Sequence, residues 1–189
     1  MQIALVRHGR PDVDFSRGSD RHLDWVESYD LAGIDPALPP PARVRELAAA
    51  SAYVLSSDLL RAVDSLAVLG REDPASAESL FREVGLRGLP ASPFPLHPRL
   101  RAPLARMGWR FGWSLPTEGA LGLHRRARAA SRRLSTLAAT HGSVMLLGHG
   151  YFNTLIAWRL LATGWRGPVW PTGSYWSVAV YRKAEASGT

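Results

Sequence analysis

The stretch Ile3-Ala-Leu-Val-Arg-His-Gly9 places an arginine and a histidine directly after a short apolar run. An apolar run of this length, followed by a glycine-containing turn, is typical of a buried strand. Val144-Met-Leu-Leu-Gly-His-Gly150 repeats the arrangement far along the chain. Ligands of open α/β sheets bind at the carboxyl ends of the strands, so both histidines are predicted to face one cleft.

Other segments complete an alternation of strands and helices. Strands are predicted at Tyr53-Val-Leu55, Val144–Leu147 and Tyr175–Tyr181. A first helix is predicted from the prolines at 39–41 to about residue 50, and a second from 58 to about 69, with Ser57 as its N-cap and Gly70 at its end. A third helix is predicted to begin after a Thr117 cap, and a fourth to run from about 152 to 162. This alternation predicts a three-layer α/β/α sandwich with a largely parallel central sheet.

The helix after Thr117 has two distinct faces. Its apolar face, spaced at helical intervals, consists of Leu123, Ala127, Ala130, Leu134 and Leu137. Its opposite face carries Arg125, Arg128 and Arg132. A solvated arginine face is a simpler interpretation than a nucleic-acid stripe, and Glu118 in the first turn is interpreted as a capping residue.

Length and composition exclude several classes of protein. The 189 residues suit a single domain spanning 1–189, and 46% hydrophobic with 21% charged residues excludes a disordered chain. The absence of cysteine excludes disulfides, thiolate zinc sites and cysteine nucleophiles. No apolar run has the length of a membrane span and no leader-like segment precedes the first strand, so a cytoplasmic protein is expected.

The net charge of +7 is unevenly distributed. Residues 1–83 hold nine arginines and fourteen acidic residues, a net charge of −5, whereas residues 84–189 hold fourteen basic and two acidic residues, a net charge of +12. The acids concentrate in an insertion near 11–41, and a lid near 84–117 is rich in proline, arginine and aromatic residues. We expect both segments to flank the substrate cleft, without nucleic acid or membrane as partner.

The candidate site combines two arginines, two histidines and one carboxyl group. These residues are Arg7, His8, Arg61, Glu83 and His149. Guanidinium groups match phosphate oxygens, and they would repel a divalent cation. Positive charge nearby keeps an imidazole neutral and nucleophilic, while a carboxyl group can supply the proton that a leaving alcohol needs. This inventory favours a phosphoryl group over a metal ion.

Four motifs in this order resemble the histidine phosphatase superfamily, branch 1, also called phosphoglycerate mutase-like. They are Leu5-Val-Arg-His-Gly9, Ser57-Asp-Leu-Leu-Arg-Ala62, Leu80-Phe-Arg-Glu83 and Leu147-Gly-His-Gly150. The motifs span residues 5–150, which is most of the chain.

The resemblance implies a phosphatase that hydrolyses a small phosphorylated substrate, a phosphomonoester or a phosphoprotein, through a phosphohistidine intermediate. His8 would be the nucleophile and Glu83 the proton donor, while Arg7, Arg61 and His149 would hold the phosphoryl oxygens. No metal or organic cofactor is implied. A phosphoglycerate mutase-like phosphotransferase ranks second, because mutases of this family carry longer insertions. A phosphate-ester-binding regulatory module is the third alternative, since the sequence after Glu83 departs from the family pattern. The substrate and the oligomeric state stay open.

Overall fold

The computed structural model describes residues 1–13, 31–71, 76–84, 119–171 and 173–184. Within these ranges the chain forms one five-stranded sheet. Its strands are β1 (Gln2–Arg7), β2 (Tyr53–Ser57), β3 (Ala77–Glu78), β4 (Ser143–Gly148) and β5 (Val178–Arg182). The strand order is β3-β2-β4-β1-β5, and only the pairing of β1 with β5 is antiparallel.

Helices cover both faces of this sheet, as predicted. They are α1 (Ala42–Ala50), α2 (Leu60–Val68), α3 (Gly119–His141) and α4 (Gly150–Ala162), with a 3-10 helix at Ser79–Phe81. Residues Ile3 and Leu5 of β1 pack in one cluster with α3 and α4. Ala4 and Val6, which point to the opposite face, pack with α1 and α2. The three-layer α/β/α sandwich with a largely parallel sheet is confirmed.

The long helix α3 follows the predicted periodicity. Its five predicted apolar residues are all buried, with Ala127, Ala130 and Leu134 fully so. The three arginines predicted on the opposite face are exposed. A stripe of this kind buries one side of the helix on the sheet and leaves the other side hydrated.

The helix predicted from residue 58 begins two residues later, and the expected Ser57 cap is wrong. Ser57 is the last residue of β2 and pairs with Glu78 of β3, so its backbone continues the sheet. The hydroxyl of Ser57 accepts a hydrogen bond from the Leu59 amide at 3.3 Å, ahead of α2. The predicted stop at Gly70 is confirmed, since Gly70 has φ of +67° and α2 ends just before it.

The last strand begins three residues later than the predicted 175–181, at Val178. Trp176 has φ of 57°, outside the extended region, so ladder pairing with β1 begins only at Val178. The apolar pair Leu80-Phe81 lies in the 3-10 helix, because only Ala77 and Glu78 pair with β2.

Several predictions lie outside the described residues. They include most of the acidic insertion (residues 14–30), most of the lid (residues 85–117), and the Thr117 cap with Glu118. The extent of the domain and the flanking role of these segments stay predictions. Where the structure describes the chain, no helix has the length and apolar character needed to cross a membrane.

Candidate active site

The parallel pairing of β1 with β4 brings the two predicted histidines together. Arg7 is in register with Gly148, and the His8 amide donates to the Gly148 carbonyl at 3.0 Å. His8 and His149 are therefore adjacent, with 5.0 Å between ring centroids. Their exposed fractions are 1% and 0%, so both imidazoles are withdrawn from bulk water.

The orientation of the His8 ring is fixed by its own turn. Nδ1 lies 2.6 Å from the Gly9 carbonyl oxygen, which can only accept, so Nδ1 carries the proton and Nε2 carries the lone pair. The Gly9 amide donates to Ser65 Oγ at 2.9 Å, and Ser65 Oγ donates to the Arg61 carbonyl at 2.6 Å. This chain of hydrogen bonds attaches the His8-Gly9 turn to the first two turns of α2.

Burial and positive charge keep both imidazoles neutral. Burial lowers the pKa of His8 to about 3, assisted by the charges of Arg61 and Arg7. Burial likewise holds the pKa of His149 well below its ordinary value, and the charges of His8, Arg61 and Arg7 lower it further. At neutral pH, His8 therefore has an unprotonated Nε2 beside two cationic side chains.

Several polar atoms around His8 are buried and unsatisfied. Arg7 Nε and both ring nitrogens of His149 make no hydrogen bond within the described part of the chain. Burying a donor without a partner costs about 1–3 kcal/mol, so native structures rarely keep such groups unless they serve a site. The donors here suit an anion that enters beside His8.

The two arginines reach the site from different elements. Arg7 ends β1, and its Nη1 donates to the Gly173 carbonyl. Its guanidinium also lies over the ring of Tyr175, 4.2 Å from the centroid. Arg61 is the second residue of α2 and is 1% exposed, which is rare for arginine.

Glu83 lies at the beginning of α4, the helix that follows His149. Its Oε1 accepts hydrogen bonds from the amides of Phe152 at 3.2 Å and Val84 at 3.1 Å. Phe152 is in the first turn of α4, three residues beyond His149. The carboxylate therefore lies at the N-terminus of α4, directly after His149, where the helix dipole stabilises negative charge.

Arg126 of α3 supports this position of Glu83. Its Nη1 donates to the carbonyls of Leu80 at 3.2 Å and Arg82 at 2.6 Å. Its guanidinium also lies 3.9 Å from the centroid of the Phe152 ring. One side chain therefore links the segment before Glu83 to the helix that binds the carboxylate.

The structure places the predicted residues at one edge of the sheet, where β1, β2 and β4 end. Tyr175 and Trp176 also lie at the site, although the sequence predicts a strand there. Their signal was two adjacent aromatic residues after Gly173 and Ser174, a composition more typical of a turn. Across the described residues, no group of three His, Asp or Glu side chains is arranged to hold a metal ion.

Comparison with known proteins finds similarity in structure alone. No protein-family model matches the sequence, and no curated protein gives a significant match. Among solved structures, the ecdysone phosphate phosphatase of Bombyx mori, in complex with tungstate, gives a TM-score of 0.56 at 13% identity, covering 100% of this chain and 96% of that one.

Two bacterial phosphatase structures give similar values. A putative alpha-ribazole-5'-P phosphatase of Escherichia coli gives a TM-score of 0.53 at 20% identity, covering 83% of this chain and 78% of that one. A mycobacterial glucosyl-3-phosphoglycerate phosphatase, in complex with inorganic phosphate, gives a TM-score of 0.52 at 22% identity, covering 85% of this chain and 79% of that one. At these identities the likeness shows a shared fold.

Proposed function

We propose that this chain, whose fold is that of the phosphoglycerate mutase-like histidine phosphatases, is a phosphatase that hydrolyses a phosphomonoester through a phosphohistidine on His8. One observation carries the proposal. A neutral His8, with its Nε2 lone pair available, is surrounded by buried donors of Arg7 and His149 that lack partners in the described structure. A phosphoryl group would satisfy those donors and present phosphorus to Nε2.

The first step transfers the phosphoryl group to the protein. Nε2 of His8 attacks phosphorus, and the bond from phosphorus to the ester oxygen breaks. Glu83 enters this step in its protonated form, which the negative charge of the bound phosphate ester favours, and it donates that proton to the departing oxygen, so that an alcohol leaves. Arg7, Arg61 and His149 stabilise the charge on the equatorial oxygens, the largest contribution in most phosphoryl transfers.

The second step returns the protein to its starting state. Glu83, now ionised, accepts a proton from a water molecule as the water oxygen attacks phosphorus. The bond between phosphorus and Nε2 breaks, inorganic phosphate forms, and His8 becomes neutral again. A His8 pKa of about 3 means that Nε2 is rarely blocked by a proton between turnovers.

The similar solved structures do not identify the alcohol. Their names specify a glucosyl-3-phosphoglycerate, an alpha-ribazole phosphate and an ecdysone phosphate, which share a phosphate ester and little else. We therefore propose the reaction for a small phosphomonoester or a phosphoprotein of the cytoplasm, without a named substrate.

The test is hydrolysis of p-nitrophenyl phosphate from acidic to neutral pH. We expect the wild-type protein to release one phosphate for each p-nitrophenol, and His8→Ala to reduce turnover at least about a thousand-fold. His124→Ala, on the exposed side of α3, is the matched control. Undiminished turnover by H8A would overturn the proposal.

Assays with substrates that carry a second hydroxyl, and direct measurement of phosphate-ester binding, separate the alternatives. Transfer of the phosphoryl group to a second hydroxyl of a substrate, in preference to water, would favour a mutase. Tight binding of phosphate esters without turnover would favour a regulatory module. A panel of phosphometabolites and phosphopeptides, ranked by kcat/KM, would then identify the substrate class.

A further inference from the structure

The turn at residues 173–176 folds over the Arg7-His8-Gly9 segment. Arg7 Nη1 donates to the Gly173 carbonyl, and the Arg7 guanidinium lies 4.2 Å from the centroid of the Tyr175 ring. The same ring lies 5.8 Å from the His8 ring, tilted by 48°. One turn thus contacts both the arginine and the histidine of the first motif.

Trp176 fixes the position of this turn. Its backbone φ of 57° is uncommon for a bulky residue and persists only where surrounding contacts determine it. Three contacts do so. The Trp176 amide donates to the Arg7 carbonyl at 3.1 Å, and its Nε1 donates to the Leu38 carbonyl at 3.3 Å. Its ring lies so close to Gly9 that a Cβ there would be 2.7 Å from it.

We propose that Tyr175 is a positioning residue, which sets the plane of the Arg7 guanidinium for phosphoryl binding. A guanidinium on a flexible stem can rotate about several bonds. The Tyr175 ring fixes the plane of the guanidinium, and the Gly173 carbonyl holds its Nη1 edge. The buried Nε of Arg7 then has no partner within the described residues and is available to a phosphoryl oxygen.

The ring of Tyr175 performs this role, because the contact is between the guanidinium and the aromatic face. Cation–π contacts contribute about 0.5–2 kcal/mol, which corresponds to a change of about 2- to 30-fold in a binding constant. Phenylalanine would keep the contact, and leucine would remove it. The inference rests on the proposed function, because orienting Arg7 matters only if Arg7 binds a phosphoryl oxygen.

The first test compares Tyr175→Leu with Tyr175→Phe. The readouts are the dissociation constant of inorganic phosphate by calorimetry, and kcat and KM for p-nitrophenyl phosphate. We expect Y175L to weaken phosphate binding about 10-fold and Y175F to remain within about twofold of wild type. Tyr53→Leu is the matched control, because Tyr53 also stacks on a ring, that of His141, at the opposite end of β2.

The second test is a double-mutant cycle with Arg7→Ala. If Tyr175 acts through Arg7, Y175L will weaken phosphate binding little further once Arg7 is absent. Effects of R7A and Y175L that multiply in the double variant would overturn the inference. Loss of phosphate binding in Y175F equal to that in Y175L would also overturn it, because the hydroxyl would then be the group required.

Failure of this inference is distinguishable from failure of the proposed function. A wild-type protein that neither binds phosphate nor hydrolyses the ester would overturn both. A wild-type protein that does both, with Y175L unchanged, would overturn only the role of Tyr175. If thermal unfolding shows that Y175L is not folded, Tyr175→Met provides a flexible, ringless side chain, with the same expected loss.

Discussion

Two buried neutral histidines make the stability of this protein sensitive to acid. His8 is 1% exposed and His149 is fully buried, so protonating either ring in the folded chain is unfavourable. The unfolded chain exposes both rings to water, where they protonate at ordinary pH values. We expect the free energy of unfolding to fall as the pH falls below 6.5.

The contribution of His8 follows from its two pKa values. The unfolded residue titrates near 6.5 and the folded residue near 3, so the unfolded state binds more protons between these values. Stability therefore falls by about 1.4 kcal/mol for each pH unit in this window. From pH 6.5 down to about pH 4.5, protonation of His8 in the unfolded chain lowers the free energy of unfolding by about 2 kcal/mol, against a typical total of about 5–15 kcal/mol.

The assay is urea unfolding at a series of pH values for His8→Asn. Asparagine keeps an amide donor near the position of Nδ1, and it removes the titrating ring. The free energy of unfolding of H8N should fall about 2 kcal/mol less than that of the His124→Asn control over the same range. If the free energy of unfolding fell equally with pH in both variants, the reasoning would be refuted, because the pKa of His8 would then be the same in the folded and unfolded chains.

The remaining predictions concern the residues that hold the site. Gly9→Ala should destabilise the fold by about 1–3 kcal/mol in urea unfolding, since the new methyl group would overlap the Trp176 ring; an unchanged midpoint would contradict the contact. Ser65→Ala should cost about 1–3 kcal/mol, because the buried Gly9 amide loses its acceptor, and equal stability of S65A and wild type would contradict this. Arg126→Met should lower kcat about 10-fold with little change in KM, because Glu83 loses its support, and a change confined to KM would argue against that role.

The central strands and the long helix were predictable because their sequence patterns are local. Strands β1 and β4 are covered on both faces, so they appear as continuous apolar runs. Helix α3 shows its buried face at helical spacing. Strand β3 has only two residues, and its pairing with the end of β2 depends on contacts distant in sequence. That pairing keeps Ser57 in the sheet and displaces the start of α2.

The candidate site was predictable to a similar extent and for a similar reason. Parallel strands end at the same edge of a sheet, which predicts one cleft for His8 and His149, and the pairing of β1 with β4 places them side by side. The position of Glu83 depends on the Phe152 amide of α4 and on Arg126 of α3, which binds the carbonyl of the preceding residue, Arg82. The turn that carries Tyr175 depends on the left-handed conformation of Trp176. Neither arrangement leaves a periodic signal in the sequence.

The most direct test of the account is to look for the phosphoryl group on His8. Wild-type protein mixed with a phosphomonoester and quenched within a turnover should gain one phosphoryl group by intact-protein mass spectrometry, and peptide mapping should locate it on His8. The adduct should be lost in acid and survive in alkali, as expected of a phosphorus–nitrogen bond, and H8N should not gain it. Turnover by the wild-type protein with no phosphohistidine, or with the phosphoryl group on another residue, would contradict the account.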